Sequence, residues 1–261
     1  DVERFLLLSG FEVVKKEWRV LCPAKLFGLG VFINKALATL PLFRKLSLRH
    51  FVVARLMPKG SWRDQSVTVV IPCRNERGNI EKVVNRLPKL GTHTQVIFVE
   101  GHSDDNTWSE IIRVIGLNPS MDIKAIQQSG VGKGNAVREG FQKAKGDVLM
   151  ILDADLTVAP EDLPKFYAEI TSGRGEYING SRLVYSMESE AMRFLNYLAN
   201  RSFASIFSFL LNQSFSDTLC GTKVIGRKHY EKLVGGRPYF GDFDPFGDFD
   251  LIFGATKLNL K

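Results

Sequence analysis

The sequence predicts an α/β fold in which a mostly parallel sheet is flanked by helices on both faces. From residue 67 onward, short apolar runs alternate with amphipathic stretches of helical length. One run, residues 148–152, is apolar without alternation and stops at Asp153 and Asp155, as expected of a strand buried on both faces. Repeated strand and helix units of this length favour parallel strands joined by crossover helices.

The elements of this region follow from its periodicity. Runs rich in Val and Ile predict strands at residues 67–71, 95–99, 122–126 and 148–152. Apolar residues at helical spacing predict helices at residues 79–90, 107–115, 135–144 and 188–212. We expect these elements to form one domain over residues 67–261.

Residues 1–58 predict a partial α/β segment that precedes this domain. Its pattern indicates a short helix at 2–8, a strand at 11–21, a helical region at 23–47 and a strand at 50–56. Pro, Gly, Ser and charged residues then cluster at 59–66, which is typical of a linker. Because the chain opens in mid-pattern and without Met, we expect it to be a piece of a longer protein.

The charge of the chain is unevenly distributed. The formal net charge is +7, and residues 1–64 hold 12 Lys and Arg against 5 Asp and Glu. Such a basic segment suits either an anionic membrane or an ordinary solvated surface. The three cysteines are far apart and lack C-x-x-C spacing, which suggests neither a disulfide framework nor a zinc site and favours a cytoplasmic setting. No apolar run reaches the length of a membrane span.

Two carboxylates, Asp153 and Asp155, follow the most apolar strand directly. In an open α/β sheet, ligands bind at the carboxyl ends of the strands. One intervening residue points the two side chains in different directions, so one can hold a metal while the other reaches a ribose or phosphate. The alternative is that both residues form a turn and cap the next helix.

Other polar residues follow neighbouring strands and would share the same rim. They are Pro72, Asn75 and Glu76 after the first strand, Glu100, Ser103 and Asp105 after the second, and Lys133 before the helix at 135–144. Each alone fits a helix cap or a turn. Together, carboxylates suit ribose hydroxyls or a base edge, a lysine suits phosphates, and two aspartates suit a divalent cation.

Five segments in this order resemble the family 2 glycosyltransferases of GT-A, Rossmann-like fold, and above all the dolichyl- or polyprenyl-phosphate sugar synthases. They are VVIPCRNE (69–76), VEGHSDDNT (99–107), GKGNAVREG (132–140), DVLMILDADL (147–156) and NGSR (179–182). The resemblance implies a nucleotide-diphosphate sugar as donor and Mg²⁺ or Mn²⁺ as cofactor, with Asp153 toward the nucleotide and Asp155 on the metal. The implied nucleotide-sugar pocket comprises Pro72, Asn75, Glu76, Glu100, Ser103, Asp105, Lys133, Asp153, Ala154 and Asp155.

The implied acceptor is a polyprenyl phosphate at the cytoplasmic membrane face, without nucleic acid as a partner. The apolar face of the helix at 188–212 suits either a protein core or a groove for a lipid tail. Arg182, which matches the family's G-S-R, and Arg193 are the candidates for holding the acceptor phosphate. With Asp153 and Asp155, Arg182 and Asp250 complete the candidate catalytic set, Asp250 acting as base only if the acceptor is a hydroxyl.

The chain departs from the family pattern after its second strand. The family has two adjacent aspartates there, whereas this chain has Glu100 and Gly101 followed by His102, which leaves the choice of uridine or guanosine open. Thr157 replaces a longer polar residue near the metal. The family chain normally continues beyond the last residue, so we expect truncation at that end.

Further interpretations concern the N-terminal segment and the function of the main domain. Residues 1–58 resemble the last part of a class I S-adenosylmethionine-dependent methyltransferase, or else form a helical extension. The main domain could instead be a non-catalytic nucleotide-sugar-binding module. A sugar nucleotidyltransferase is the remaining alternative, but the loop after the first strand lacks the glycine cluster that a triphosphate needs.

Overall fold

A computed structural model describes residues 2–24, 26–38, 40–56, 64–181, 191–211, 217, 220–236 and 249–261. Contacts within the chain define two compact units, one of residues 1–59 and 202–215 and one of residues 60–201 and 216–261. The N-terminal part of the first unit ends at residue 59, where the predicted linker of residues 59–66 begins. Residues 202–215, which the sequence assigns to the second domain, cluster with the first unit.

The first unit is built on a two-stranded antiparallel sheet. Its elements are α1 (Val2–Leu8), β1 (Phe11–Arg19), α2 (Leu29–Phe32), α3 (Pro41–Arg44) and β2 (Arg49–Leu56). The predicted helical region at 23–47 contains helical turns at residues 26–37 and 41–44. Gly28 adopts a left-handed φ of 95°, and the second stretch starts anew because Leu40 before Pro41 is extended. The resemblance of this segment to a methyltransferase stays a prediction.

The second unit contains a six-stranded sheet. Its strands are β3 (Val67–Cys73), β4 (Thr94–Glu100), β5 (Asp122–Gln127), β6 (Val148–Ile151), β7 (Tyr177–Asn179) and β8 (Lys223–Gly226). Their order is β5-β4-β3-β6-β8-β7, with β3 to β6 parallel and β8 antiparallel to both of its neighbours. The predicted mostly parallel sheet is confirmed.

Helices cover both faces of this sheet. On one side, α4 (Arg77–Arg86), α5 (Thr107–Leu117) and α7 (Leu163–Thr171) contribute Ile80, Ile111 and Leu163 to one apolar core. On the other side, α6 (Lys133–Lys143), α9 (Arg227–Gly235) and α10 (Phe249–Lys257) contribute residues such as Phe141, Leu233 and Leu251 to a second core. The remaining long helix is α8 (Ala191–Leu211). Of the helices that the structure describes, none combines the length and hydrophobicity that crossing a bilayer requires.

The strands serve both cores at once, which explains their unbroken apolar sequences. Along β6, Val148 and Met150 pack in the first core while Leu149 and Ile151 pack in the second, because successive side chains of a strand point to opposite faces. All four are buried. Burying each of these side chains stabilises the folded state by about 1.5–3 kcal/mol. The strand is therefore held firmly in the sheet and positions the loop that follows it, which carries Asp153 and Asp155.

Candidate active site

The carboxyl ends of β3, β4 and β6 open onto one cavity. Cys73 pairs with Glu100 in the register of β3 and β4, and Leu152 continues the ladder by donating its N–H to the carbonyl of Val70 at 3.0 Å. The cavity has a volume of about 570 Å³. Six of the predicted site residues line it, namely Pro72, Glu76, Lys133, Asp153, Ala154 and Asp155.

An ion pair joins two of these residues. Lys133 is the first residue of α6, and its Nζ lies 2.5 Å from Oδ1 of Asp153. Both side chains are partly exposed. Gly221 passes so close that a methyl group added there would overlap the Asp153 carboxylate and the Lys133 ammonium. A side chain at position 221 would therefore have to displace the Asp153 carboxylate and the Lys133 ammonium.

Asp155 is exposed and held by a short turn. Its Oδ1 accepts hydrogen bonds from the backbone N–H of Thr157 at 2.9 Å and from the Thr157 hydroxyl. Among the described residues, Oδ2 has no hydrogen-bond partner. The alternative from the sequence is half right: the aspartates lie in a turn, in which the Leu156 N–H donates to the Asp153 carbonyl at 3.2 Å. Neither caps the next helical turn, which begins at Pro160 with Ala159 as its N-cap. The Thr157 hydroxyl, at the position where the family pattern has a longer polar residue, therefore contacts Asp155.

The donor set of the cavity fits a divalent cation that is shared with a substrate. No group of three or more metal-binding side chains occurs among the residues that the structure describes. Mg²⁺ sites commonly use one or two carboxylates and complete their coordination with substrate phosphates and water. The cavity supplies two such carboxylates on one short loop, Asp153 and Asp155.

Three other predicted residues tie two loops of the rim together. The Asn75 N–H donates to Oγ of Ser103 at 2.9 Å, and the Asp104 N–H donates to Oδ1 of Asn75 at 2.9 Å. The Arg77 N–H donates to Oδ2 of Asp105 at 3.1 Å. The loop after β3 is thereby fixed against the loop after β4. Contacts of Asn75, Ser103 and Asp105 with a nucleotide sugar stay predictions.

The surroundings of two residues in these loops, Asp105 and Cys73, change their pKa values. The Thr107 hydroxyl donates to Asp105 and lowers the pKa of that carboxyl, with further help from backbone N–H groups. Burial raises the pKa of the Cys73 thiol, and the charges of Glu100, Glu76 and Asp105 raise it further. These contacts thus favour the ionised form of Asp105 and the neutral thiol of Cys73.

Glu100 lies beneath the rim rather than on the cavity wall. Its side chain is 2% exposed, and its Oε1 accepts a hydrogen bond from the Ser103 N–H at 2.6 Å. It is not among the described residues that line the cavity. A contact between Glu100 and the nucleotide sugar stays a prediction.

The residues predicted for the acceptor are less completely placed. Arg182 lies outside the described residues, and for Arg193 the structure describes only its place in α8. Asp250 lies in the first turn of α10 and is half-buried, and it is not among the described lining residues. Their roles in phosphate binding and catalysis stay predictions.

Several lining residues were not predicted from the sequence. They include Arg74, Val99, Gly101, His102, Gln128 and Ala136. Gln128 follows β5, is 4% exposed, and donates from Nε2 to the Gly132 carbonyl and to Oδ1 of Asn135, each at 2.8 Å. The rule that polar residues after parallel strands face the ligand would have found Gln128.

Residues 68–234 match the sequence profile described as glycosyl transferase family 2. The dolichol-phosphate mannosyltransferase of Pyrococcus furiosus is 33% identical over 137 residues, which cover 52% of this chain and 38% of that protein. The undecaprenyl-phosphate 4-deoxy-4-formamido-L-arabinose transferase of Shewanella sediminis is 27% identical over 140 residues, which cover 52% of this chain and 41% of that protein. The chain therefore spans well under half the length of these two relatives.

The fold also matches solved structures. Glucosyl-3-phosphoglycerate synthase from Mycobacterium tuberculosis, in complex with Mn²⁺, uridine diphosphate and glucosyl-3-phosphoglycerate, superposes with a TM-score of 0.53. The match covers 74% of this chain and 66% of that one at 17% identity. At such low identity the match shows a common fold.

Proposed function

The chain belongs to glycosyl transferase family 2, and on that premise we propose that it transfers a sugar from a nucleotide-diphosphate sugar to a polyprenyl phosphate. One observation carries the proposal: Lys133, Asp153 and Asp155 meet in one cavity at the carboxyl edge of the sheet. A cation-binding pair of carboxylates beside a lysine matches the chemistry of a diphosphate leaving group.

The charges of the cavity support a donor that arrives with a cation. Its described lining includes Glu76, Asp153 and Asp155 against Arg74 and Lys133. This excess of negative charge would repel a diphosphate bound alone. Lys133 stands at the N-terminus of α6, where the ammonium and the helix dipole both favour phosphate oxygens.

Asp155, with Asp153 beside it, would hold Mg²⁺ or Mn²⁺. A divalent cation there would neutralise the charge that develops on the departing diphosphate. Asp155 is prepared for this role, because Thr157 fixes one of its oxygens and leaves the other toward solvent. Lys133 would exchange part of its contact with Asp153 for a phosphate oxygen.

The acceptor decides what else the protein must supply. A phosphomonoester has a second pKa of about 6 and is already an anion at neutral pH, so it requires cationic side chains rather than a base. We assign this role to Arg182 and Arg193. A phosphate oxygen attacks the anomeric carbon from the side opposite the diphosphate, the new C–O bond forms as the old one breaks, and the configuration inverts.

The relatives support a lipid-linked phosphate as acceptor, since one is a dolichol-phosphate mannosyltransferase and the other an undecaprenyl-phosphate 4-deoxy-4-formamido-L-arabinose transferase. The basic N-terminal segment is consistent with an anionic surface. We therefore propose that the protein works at the cytoplasmic face of a membrane.

A transfer assay tests the proposal. The chain is incubated with radiolabelled UDP- and GDP-sugars, a short polyprenyl phosphate in detergent, and Mn²⁺ or Mg²⁺, and the organic phase is counted. We expect a lipid-linked sugar that disappears with EDTA and with Asp155→Asn, but persists with the exposed control Asp64→Asn. Binding of a nucleotide sugar without transfer to any acceptor would instead identify a non-catalytic binding module.

A further inference from the structure

The side-chain amide of Gln128 has a fixed orientation beside the cavity. Its Nε2 donates to the backbone carbonyl of Gly132, which can only accept, and to Oδ1 of Asn135. Asn135 is itself oriented, because its Oδ1 also accepts from the Gly130 N–H at 3.2 Å. The nitrogen of Gln128 is thus committed to the loop, and its oxygen, Oε1, is directed away from these partners.

Gly101 locates that oxygen. A Cβ atom added at Gly101 would lie 3.1 Å from Oε1 of Gln128, closer than an ordinary van der Waals contact. Gly101 and Gln128 both line the cavity. Gly101 is also the position where the family pattern has its second aspartate. A side chain at position 101, such as the aspartate of the family pattern, would therefore crowd the amide oxygen of Gln128.

The position of Gln128 suits the base end of a nucleotide. Gln128 follows β5 and Asp153 follows β6, and three inter-strand spacings of about 4.8 Å place the ends of those strands roughly 14 Å apart. In an extended nucleoside diphosphate, the base lies at the end opposite the pyrophosphate. Between the two sites, Pro72, Val99 and Ala136 line the cavity and offer apolar contact for a ring.

We infer that Gln128 Oε1 reads the nucleobase of the donor and selects uracil over guanine. The inference rests on the proposed function, which places the pyrophosphate at Lys133 and Asp155. Uracil presents a single imide N–H, at N3, between two carbonyl acceptors. Guanine presents two adjacent donors, N1–H and the 2-amino group, which a carboxylate can accept together. Gln128 offers one acceptor atom, because its nitrogen is already engaged.

Calorimetric titration of the wild-type chain with three nucleotides in the presence of Mn²⁺ tests this assignment. We expect UDP to bind at least about tenfold more tightly than GDP, which leaves one donor unpaired in the site. N3-methyl-UDP, which lacks the imide N–H, should also bind at least about tenfold more weakly than UDP. This comparison requires no substitution and so is independent of folding defects.

Variants complete the test. Gln128→Ala should bind UDP about tenfold more weakly and should no longer distinguish UDP from N3-methyl-UDP. Gln127→Ala, at the neighbouring exposed position, should behave as wild type. Tighter binding of GDP than of UDP, or equal binding of UDP and N3-methyl-UDP by the wild type, overturns the reading by Gln128 and leaves the proposed function intact. Failure of every nucleoside diphosphate to bind overturns both.

Discussion

Lys133 and Asp153 form an ion pair of 2.5 Å. Lys133 begins α6, which follows β5, whereas Asp153 follows β6, and β4 and β3 lie between these two strands in the sheet. The pair keeps a lysine ammonium at the mouth of the cavity in the absence of a phosphate. Under the proposed function, this pair would place a cation beside the diphosphate of the donor.

Lys133→Met should weaken binding of the donor nucleotide by about 10- to 100-fold, because a charge-assisted hydrogen bond to phosphate is lost. Titration with UDP and GDP in the presence of Mn²⁺ measures the effect. Lys143→Met, in the last turn of the same helix, is the matched control and should leave the affinity unchanged. Equal affinities of Lys133→Met and wild type would show that the ammonium does not contact the phosphates.

Asp155→Asn should abolish Mn²⁺-dependent nucleotide binding, since a neutral amide is a poor ligand for a hard cation. Thr157→Val should have a smaller effect in the same direction, because it removes the hydroxyl that orients Asp155. Electron paramagnetic resonance of Mn²⁺ during titration with UDP distinguishes free from bound ion. If both variants bind Mn²⁺ as wild type does, the cation lies elsewhere.

Gly221→Ala should reduce nucleotide binding by displacing the Lys133–Asp153 pair, at a cost in stability of about 1–3 kcal/mol for an overpacked site. Gly235→Ala, where an added methyl group meets no atom within 4 Å, serves as control. Urea unfolding and nucleotide titration of both variants measure the two effects separately. Retained binding in Gly221→Ala would show that this backbone segment moves aside easily.

The hydrogen bonds from Ser66 to the Asp147 carboxylate should make a pH-dependent contribution to the free energy of unfolding. The Ser66 hydroxyl, then its backbone N–H, lowers the pKa of Asp147 from its ordinary value of 3.8. The native state therefore binds fewer protons than the unfolded state, and the stabilisation is present above that value and lost as the pH falls below it. Ser66→Ala should cost about 0.5–1 kcal/mol at neutral pH, and the difference from wild type should become smaller in acid, where the hydrogen bond from the Asp147 N–H to the Ser66 hydroxyl remains. Urea unfolding of both proteins across this range measures it; a constant difference would contradict the assignment.

The cysteines should differ in reactivity. Burial, followed by the charges of Glu100, Glu76 and Asp105, raises the pKa of Cys73, so its nucleophilic thiolate is scarce. Cys220 is also buried, whereas Cys22 is partly exposed. A thiol reagent at mildly alkaline pH should modify Cys22 in the native chain and all three cysteines in urea. Cys22→Ser should remove the native reaction; rapid native labelling in that variant would contradict this description.

The sequence predicts the parallel half of the sheet well, because β3 to β6 are apolar runs separated by polar turns. It does not predict β7 or β8. Three residues form β7, and β8 begins with Lys223, whose buried ammonium bonds Asn179 Oδ1 and the Cys220 carbonyl. From the sequence alone a lysine predicts an exposed position, because the partners that allow Lys223 to be buried cannot be identified locally.

The candidate site shows the same limit. Asp153, Asp155 and Lys133 follow from strand ends and spacing, and the structure brings them together in one cavity. Which polar side chains of the rim face the cavity cannot be derived locally, since Ser103 and Asp105 bond the neighbouring loop while Gln128 lines the wall. The sequence also does not predict that Gly221 lies against Asp153, because this approach depends on contacts between distant parts of the chain.

The reversed direction of β8 has a consequence for biosynthesis. Since β8 runs against β6, its starting end delivers Gly221 to Asp153. A ribosome releases the acidic turn long before the glycine that covers it, and pairings between distant segments form late in folding. A nascent chain arrested before β8 would therefore already carry every described lining residue of the cavity, but would lack the glycine that covers Lys133 and Asp153.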